Sequence, residues 1–298
     1  MFRPENNGLF SLEATPEKYF SKKEKKQILA LAMTKIENLM KDPTRGDIDI
    51  EKFTGINEKV DQEINAASAY VDYRKQEFKK QEELSKKYGT YEEKKETELI
   101  GKIWEEILFD QIKNWIGEKV KMKKVSKYDD YRNGIDGVAE IDCRDQTRFL
   151  ALALDATRGD PLRKIKTIKE SIDKNQIGKL DFFQTNQGDL MKIKNIPKVV
   201  IAVKDSFWEI ADLWVKEDFK ALSNHPVQNQ ILQQIIAQLE TYQKYATENK
   251  KKEIAAAYRT LLEIFKAFEK DKGKKQQILE GDIAHTRLLK ALEKFNKL

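Results

Sequence analysis

The sequence predicts an α/β protein in which a mixed β-sheet in the middle of the chain is flanked by long helices from both ends. Lys-, Glu- and Gln-rich stretches with apolar residues at helical spacing fill the N-terminal and C-terminal parts. The strand signals, and most of the glycines, fall between residues 98 and 215. There the order helix, strand, strand, strand, helix, strand predicts the fold class.

The composition excludes several classes of protein. The chain has 298 residues, 40% hydrophobic and 36% charged, which is enough to bury a core. No apolar run approaches the ~20 residues of a membrane-spanning helix, and the N-terminus has no signal-peptide pattern. The single cysteine, Cys143, excludes an internal disulfide and a thiolate zinc site. A cytoplasmic protein is therefore expected, and the net charge of +6 permits nucleic-acid binding without showing it.

An N-terminal helical region is assigned to residues 1–92. In its first helix the apolar residues at helical spacing are Ile28, Leu31, Ala32, Ile36 and Leu39. A second, highly charged helix is predicted from about Ile56 to Tyr88, where Gly89 ends it.

The central α/β region is assigned to residues 93–220. A helix over 98–116 opens it, and a second helix over 160–175 has Asp160 as its N-cap. The segments with strand patterns are 119–125, 135–141, 149–157 and 197–204. The third of these, FLALALDAT, is nearly all apolar, which is typical of a central strand buried on both faces.

The C-terminal region, residues 221–298, is predicted to be helical again and to pack on the central region or on a partner. Apolar residues recur at helical spacing from Gln228 onward. Residues 247–252 form either a turn between two antiparallel helices or the exposed face of one long helix. The tail from Lys274 is predicted to be one more short helix.

Two aspartates sit inside the predicted strands, where Asp is depleted and an ionised carboxylate is costly to bury. Asp136 lies at the start of the strand 135–141, and Asp155 lies at the end of the apolar run in 149–157. One polar turn separates the two strands, so they should pair as a hairpin and bring the carboxylates together. Such a pair repels unless a cation lies between, and carboxylates are ligands of Mg²⁺ or Mn²⁺.

Glu105 is a third candidate acid. It follows Gly101 and precedes Leu108 on one stripe of the helix 98–116, so it is expected on the sheet-facing side. Gly101 would let the helix approach the sheet closely. Glu106 is expected on the solvent side, together with Asp110.

These segments resemble the PD-(D/E)XK superfamily, whose restriction-endonuclease-like core has the order α-β-β-β-α-β. The resemblance covers about residues 98–205. Gly101-Lys-Ile-Trp-Glu105 resembles the Gly-x-x-x-Glu of the family's helix, Asp136 its lone Asp, and Asp155-Ala156-Thr157 its (D/E)-x-K.

Thr157 departs from the family pattern because it stands where the family has a lysine. Some members supply this lysine from the following helix, where Lys164 and Lys166 are the candidates. Lys164 is favoured because it lies nearer the helix start. If neither lysine reaches the site, the chain is a non-cleaving relative.

The resemblance implies a metal-dependent nuclease that hydrolyses phosphodiester bonds, with DNA expected over RNA. Glu105, Asp136 and Asp155 would hold Mg²⁺ or Mn²⁺, and Lys164 would complete the catalytic set. Basic residues of 119–127, with Arg158, Arg163 and Lys166, would bind the phosphate backbone. A homodimer through the terminal helices is a further option, and no membrane partner is expected.

Simpler structural roles remain open for each acid. Asp136 can be a turn residue after Asn133-Gly134, and Asp155 can be a capping residue bonded to Thr157 or Arg158. Glu105 can pair with Lys102 or Lys121 at the edge of the core. The alternative function is accordingly a non-catalytic nucleic-acid-binding or helical scaffold protein with a degenerate nuclease-like core.

Overall fold

The computed structural model describes residues 20–42, 45–141, 150–158, 160–185, 187–272 and 282–298. It confirms the mixed α/β class, with a four-stranded mixed sheet, a separate two-stranded sheet and flanking helices. Cys143 and the polar turn around it lie outside the described residues.

Helices account for most of the described chain. Their bounds are α1 (Lys22–Leu39), α2 (Glu58–Lys87), α3 (Tyr91–Ile116), α4 (Lys127–Asn133), α5 (Leu162–Asp173), α6 (Phe207–Val215), α7 (Phe219–Ser223), α8 (Val227–Glu248), α9 (Lys252–Lys272) and α10 (Ile283–Glu293). The strands are β1 (Val120–Lys124), β2 (Gly137–Ile141), β3 (Leu150–Arg158), β4 (Gly178–Gln184), β5 (Leu190–Ile196) and β6 (Lys198–Val203).

The four-stranded sheet has the order β1-β2-β3-β6. The pairs β1–β2 and β2–β3 are antiparallel, whereas β3 and β6 run parallel. The predicted hairpin of β2 and β3 is therefore confirmed. Strands β4 and β5 form the second sheet, an antiparallel pair between α5 and β6.

Alternation along β3 divides the core into two clusters. Leu152 and Leu154 face the larger cluster, which α3, α5, α6, α8, α9 and α10 share. Ala151 and Ala153 face the smaller cluster, which contains Phe182 of β4. The prediction that β3 is buried on both faces is thus confirmed.

The outer edge of β6 is covered by side chains of α8. Gln238 accepts a hydrogen bond from the Val200 N–H at 2.8 Å and donates one to the Val200 carbonyl at 2.7 Å. Gln234 makes the same pair of bonds with Ala202, at 2.8 and 2.9 Å. The two amides act as a substitute for a fifth strand, which satisfies the backbone groups of this edge.

Several predicted bounds and faces were wrong. Leu31, expected on the buried stripe of α1, is 48% exposed, and Leu29 is buried in its place. The helix predicted from residue 98 begins at Tyr91, and α4 and the β4–β5 pair were not predicted at all. Short elements of this kind carry weak periodicity, so tertiary packing decides them.

Residues 247–252 were predicted to be either a turn between two helices or part of one long helix, and the structure has the turn. Helix α8 ends at Glu248 and α9 starts at Lys252, with Lys250 in the left-handed region at φ 59°. The predicted tail helix corresponds to α10, while residues 273–281 lie outside the described part.

No helix in the described ranges has the length and apolar character needed to cross a membrane.

Candidate functional site

Asp136 and Asp155 lie side by side at one end of the β2–β3 hairpin. Gly137 pairs with Leu154 at the start of β2, so Asp136 precedes this pair and Asp155 follows it. The Asp136 N–H donates to the Leu154 carbonyl at 3.1 Å. In return, the Ala156 N–H donates to Oδ2 of Asp136 at 2.6 Å. These bonds fix the Asp136 carboxylate against β3, as the hairpin prediction required.

Asp155 is buried because it continues the series of Ala151 and Ala153 toward the smaller cluster. Its side chain bonds two lysines rather than capping a turn. Lys164 donates to Oδ1, and the Nζ of Lys198 lies 3.0 Å from Oδ2. Burying a carboxylate with a cation on each oxygen costs less than burying an unpaired one.

Lys164 comes from the first turn of α5. Its Nζ contacts the Asp155 carboxylate and donates to the Ala156 carbonyl at 2.7 Å. The helix is oriented by Ile165 and Ile168, which are buried on its inner face. Lys166, the other candidate, is exposed on the opposite side.

Lys198 was not recognised as a site residue from the sequence. It begins β6, and besides Asp155 it donates to the Gly134 carbonyl. Gly134 ends α4 in the left-handed region at φ 58°, two residues before Asp136. Lys198 therefore ties the segment that carries Asp136 to Asp155. A lysine preceding an apolar strand was the available signal, although the sequence alone gives it no partner.

Glu105 is half-buried on α3 and faces the same end of the hairpin. Burial first, and then the charges of Asp136 and Asp130, raise the pKa of Glu105 to about 8. Burial and the charge of Asp155 raise the pKa of Asp136 to about 7. Two acids with raised pKa values beside each other mark an uncompensated negative charge.

The close approach of α3 to the sheet occurs at Gly137 rather than at Gly101, so the role expected for Gly101 was wrong. A Cβ on Gly137 would meet the ring of Phe109 at 2.4 Å, whereas nothing lies within 4 Å of one built on Gly101. Phe109 is one turn after Glu105 on α3. The missing side chain of Gly137 thus lets α3 bring Glu105 toward Asp136.

The expectation for Glu106 was also wrong. Glu106 is 3% exposed and forms an ion pair with Lys124 of β1. Asp110, expected on the solvent side with it, accepts hydrogen bonds from Arg45 at 2.7 Å and from Trp214 at 2.9 Å. Helix α3 is covered by α1, α2 and α6 as well as by the sheet, so its charged residues are enclosed and paired.

Helix α4 adds Asp130 to the site. Asp130 shares Lys127 with Asp47, at 3.3 Å to each carboxylate. Its pKa is raised by burial, against the influence of Lys127. The neighbouring Asp129 is fully buried and accepts hydrogen bonds from the N–H groups of Asp181 and Phe182, so it anchors β4. The two neighbouring aspartates of α4 therefore have separate roles.

A cleft of about 830 Å³ opens beside these acids. Its wall includes Glu105, Asp130 and Asp136 on one side and residues of α2 and the first turns of α3 on the other. Among the described residues, no three Asp, Glu, His or Cys side chains converge into a ready metal cluster. The structure brings Glu105 and Asp136 to the wall of this cleft, whereas Asp155 is held by Lys164 and Lys198.

The structure also bears on the simpler structural roles and on the basic residues expected to bind phosphate. Asp136 follows the end of α4, and both its backbone and its carboxylate bond β3. The basic residues expected to bind phosphate are partly engaged inside the chain: Lys123 donates to the Thr185 carbonyl at 2.7 Å, and the Arg158 guanidinium lies over the rings of Phe207 and Trp208.

Comparison of the chain with protein-family models, with curated proteins and with solved structures finds no match.

Proposed function

We propose that the chain is a metal-dependent nuclease that hydrolyses phosphodiester bonds in DNA, built on a restriction-endonuclease-like core. The order α3, β1, β2, β3, α5, β6 and the parallel pairing of β6 with β3 support this core. Helix α4 and the β4–β5 pair are then insertions into it.

One observation carries the proposal: Lys164 reaches Asp155 and the Ala156 carbonyl from the next helix. A cation beside the acids is the group that the sequence lacks at Thr157. In a phosphodiester hydrolysis this ammonium can orient the attacking water and donate to the phosphate oxygen on which charge develops. The Ala156 N–H donates to the Asp136 carboxylate and so holds this second acid in a fixed position.

Glu105, Asp136 and Asp155 are the residues that would hold Mg²⁺ or Mn²⁺. Their oxygens are the donor set that such hard cations prefer. The raised pKa values of Glu105, about 8, and of Asp136, about 7, mark negative charge that a divalent cation would offset. When bound, the metal would lower the pKa of a coordinated water and polarise the scissile phosphate.

Cleavage of plasmid and of single-stranded DNA with Mg²⁺ or Mn²⁺ tests the proposal. Wild type should cut in a metal-dependent manner, whereas Asp155→Asn should lose at least about 100-fold in rate. Asp181→Asn, a change at the β4 surface, serves as the matched control and should cut normally. Equal activity of wild type and Asp155→Asn, or no activity with either metal, would refute it.

A second candidate, the non-catalytic nucleic-acid-binding or scaffold protein, is favoured by the two lysines on Asp155. Lys164 and Lys198 occupy both carboxylate oxygens, which offsets the charge without a metal. A thermal-shift measurement separates the two functions. A nuclease should gain stability from saturating Mg²⁺, by about 2.7 kcal/mol at 100 times the dissociation constant, and Asp136→Asn should abolish the gain. A scaffold should show no gain.

A further inference from the structure

We infer that the substrate enters the cleft as a single strand, with a base stacked on Tyr91 and its phosphates beside the lysines of α3. This inference rests on the proposed function and names its substrate class. It is carried by the shape of the cleft and by the order of residues along one face of α3.

The cleft is bounded by an arm, residues 78–102, formed by the second half of α2, the turn at Gly89 and the first half of α3. Tyr88 at the tip of the arm is 71% exposed. At its base the arm contacts the body through Phe78, whose ring packs edge-on against Tyr131 of α4 at 5.4 Å. The arm therefore closes one side of the cleft.

The size of the cleft suits one or a few nucleotides. A volume of about 830 Å³ lies within the range of ~300–1,000 Å³ that holds a small organic ligand. A double helix presents two backbones with its bases stacked inside. A single strand can instead insert one or a few nucleotides between the arm and the sheet.

The residues of α3 that line the cleft change in character from the arm to the sheet. Tyr91, Lys94 and Lys95 lie near the start of α3, followed by Glu98, which pairs with Lys94. Lys102 lies one turn after Glu98, and Glu105 lies next to the hairpin. Their spacing in steps of about three, four and seven residues places them on one helix face. An aromatic and basic entrance leading to an acidic end suits a base and phosphates at the entrance and the scissile phosphate at the acids.

Two lysines lie over the ring of Tyr91. The ammonium of Lys86 lies 4.7 Å from the centre of its ring, and that of Lys95 lies 5.6 Å from it. Lys86 is itself held by Glu82 at 2.7 Å. The two ammonium groups place positive charge at the ring, where the phosphates next to a bound base would lie.

Fluorescence anisotropy with the full-length protein tests the inference. The probes are a short fluorescein-labelled single-stranded DNA, the same strand annealed to its complement, and the RNA of the same sequence. Ca²⁺ replaces Mg²⁺ so that cleavage does not interfere. The single strand should bind at least about tenfold more tightly than the duplex, and Tyr91→Ala should weaken its binding by about tenfold. Tyr91→Phe, which keeps the ring, should restore it.

Tyr88→Ala is the matched control, because it removes an exposed ring of the same arm that does not line the cleft. Its binding should match that of wild type. Duplex binding as tight as single-strand binding, or equal losses in Tyr88→Ala and Tyr91→Ala, would overturn the inference. Tighter binding of the RNA would change the nucleic acid but keep the single strand. Failure of metal-dependent cleavage would count against the nuclease alone, since the binding comparison needs no cleavage.

Discussion

The Nζ atom of Lys198 lies 3.0 Å from Oδ2 of Asp155, although Lys198 is not the β6 residue that pairs with Asp155. Asp155 pairs with Val200 in the parallel register of β3 and β6. Lys198 is two residues earlier on β6 and so points to the same face of the sheet. The parallel crossover through α5 thus supplies the site with a second cation.

Replacing Lys198 by Met should lower the free energy of unfolding by about 1–3 kcal/mol, because it leaves one oxygen of a buried carboxylate without its partner. Lys164 remains on the other oxygen, so the loss should stay below the ~3–5 kcal/mol of a fully unpaired buried charge. Urea unfolding measures the change. Lys75→Met is the control, since the pair of Lys75 with Asp72 is exposed and should contribute little. Equal stability of the two variants would contradict a role for Lys198.

Lys164 and Lys166 offer a matched comparison on one helix. Lys164 contacts Asp155, whereas Lys166 is exposed. Lys164→Met should lower the rate of metal-dependent cleavage by at least about 100-fold, and Lys166→Met should leave it near the wild-type rate. Initial rates at saturating DNA measure both. If Lys166→Met lost more activity than Lys164→Met, Lys166 rather than Lys164 would be the catalytic lysine.

Gln238 covers the edge of β6 through two hydrogen bonds to Val200. Gln238→Met has nearly the same volume but offers no amide, so both backbone groups of Val200 lose a buried partner. The expected cost is about 1–3 kcal/mol in the free energy of unfolding. Gln243→Met on the same helix is the control, because the Gln243 amide bonds to Thr247 of α8. If Gln238→Met lost less stability than Gln243→Met, the role of Gln238 in covering the edge of β6 would be contradicted.

Local patterns predicted the parts of the site that depend on neighbours in sequence. The apolar run of β3 with Asp155 at its end predicted a central strand, and the short polar turn predicted its hairpin with Asp136. For the helix after β3, the resemblance to the PD-(D/E)XK pattern implied Lys164 or Lys166 as the site lysine, with Lys164 favoured. The hairpin spans a single turn, so the order and spacing of its two strands predict it.

The remaining site residues depend on tertiary packing. Lys198 reaches the site through the parallel register of β6 with β3, and Asp130 reaches it through α4. Glu106 is buried beside Lys124 of β1, with which it forms an ion pair. A helix as short as α4 has little periodicity. Its ends carried a usable signal, with Ser126 as the N-cap and Gly134 in the left-handed region after the last turn.

Glu105 should make the stability of the metal-free protein depend on pH. Its pKa is raised from an ordinary value of 4.5 to about 8, chiefly by burial. Between these two pH values the folded state binds more protons than the unfolded state, so the free energy of unfolding falls as pH rises. Below the window the carboxyl is protonated in both states, and above it the full cost of the buried charge is present.

Glu105→Gln should therefore be more stable than wild type at pH about 8, by about 1–3 kcal/mol, and should gain nothing at pH about 4. A shallower decline should remain in the variant, because the pKa of Asp136 is raised to about 7 as well. Urea unfolding in the presence of a chelator, across this range of pH, measures the difference. Glu98→Gln is the control, since the exposed Glu98 side chain pairs with Lys94 at 3.8 Å. If Glu98→Gln gained as much stability at high pH as Glu105→Gln, general charge repulsion rather than the buried acid would be the cause.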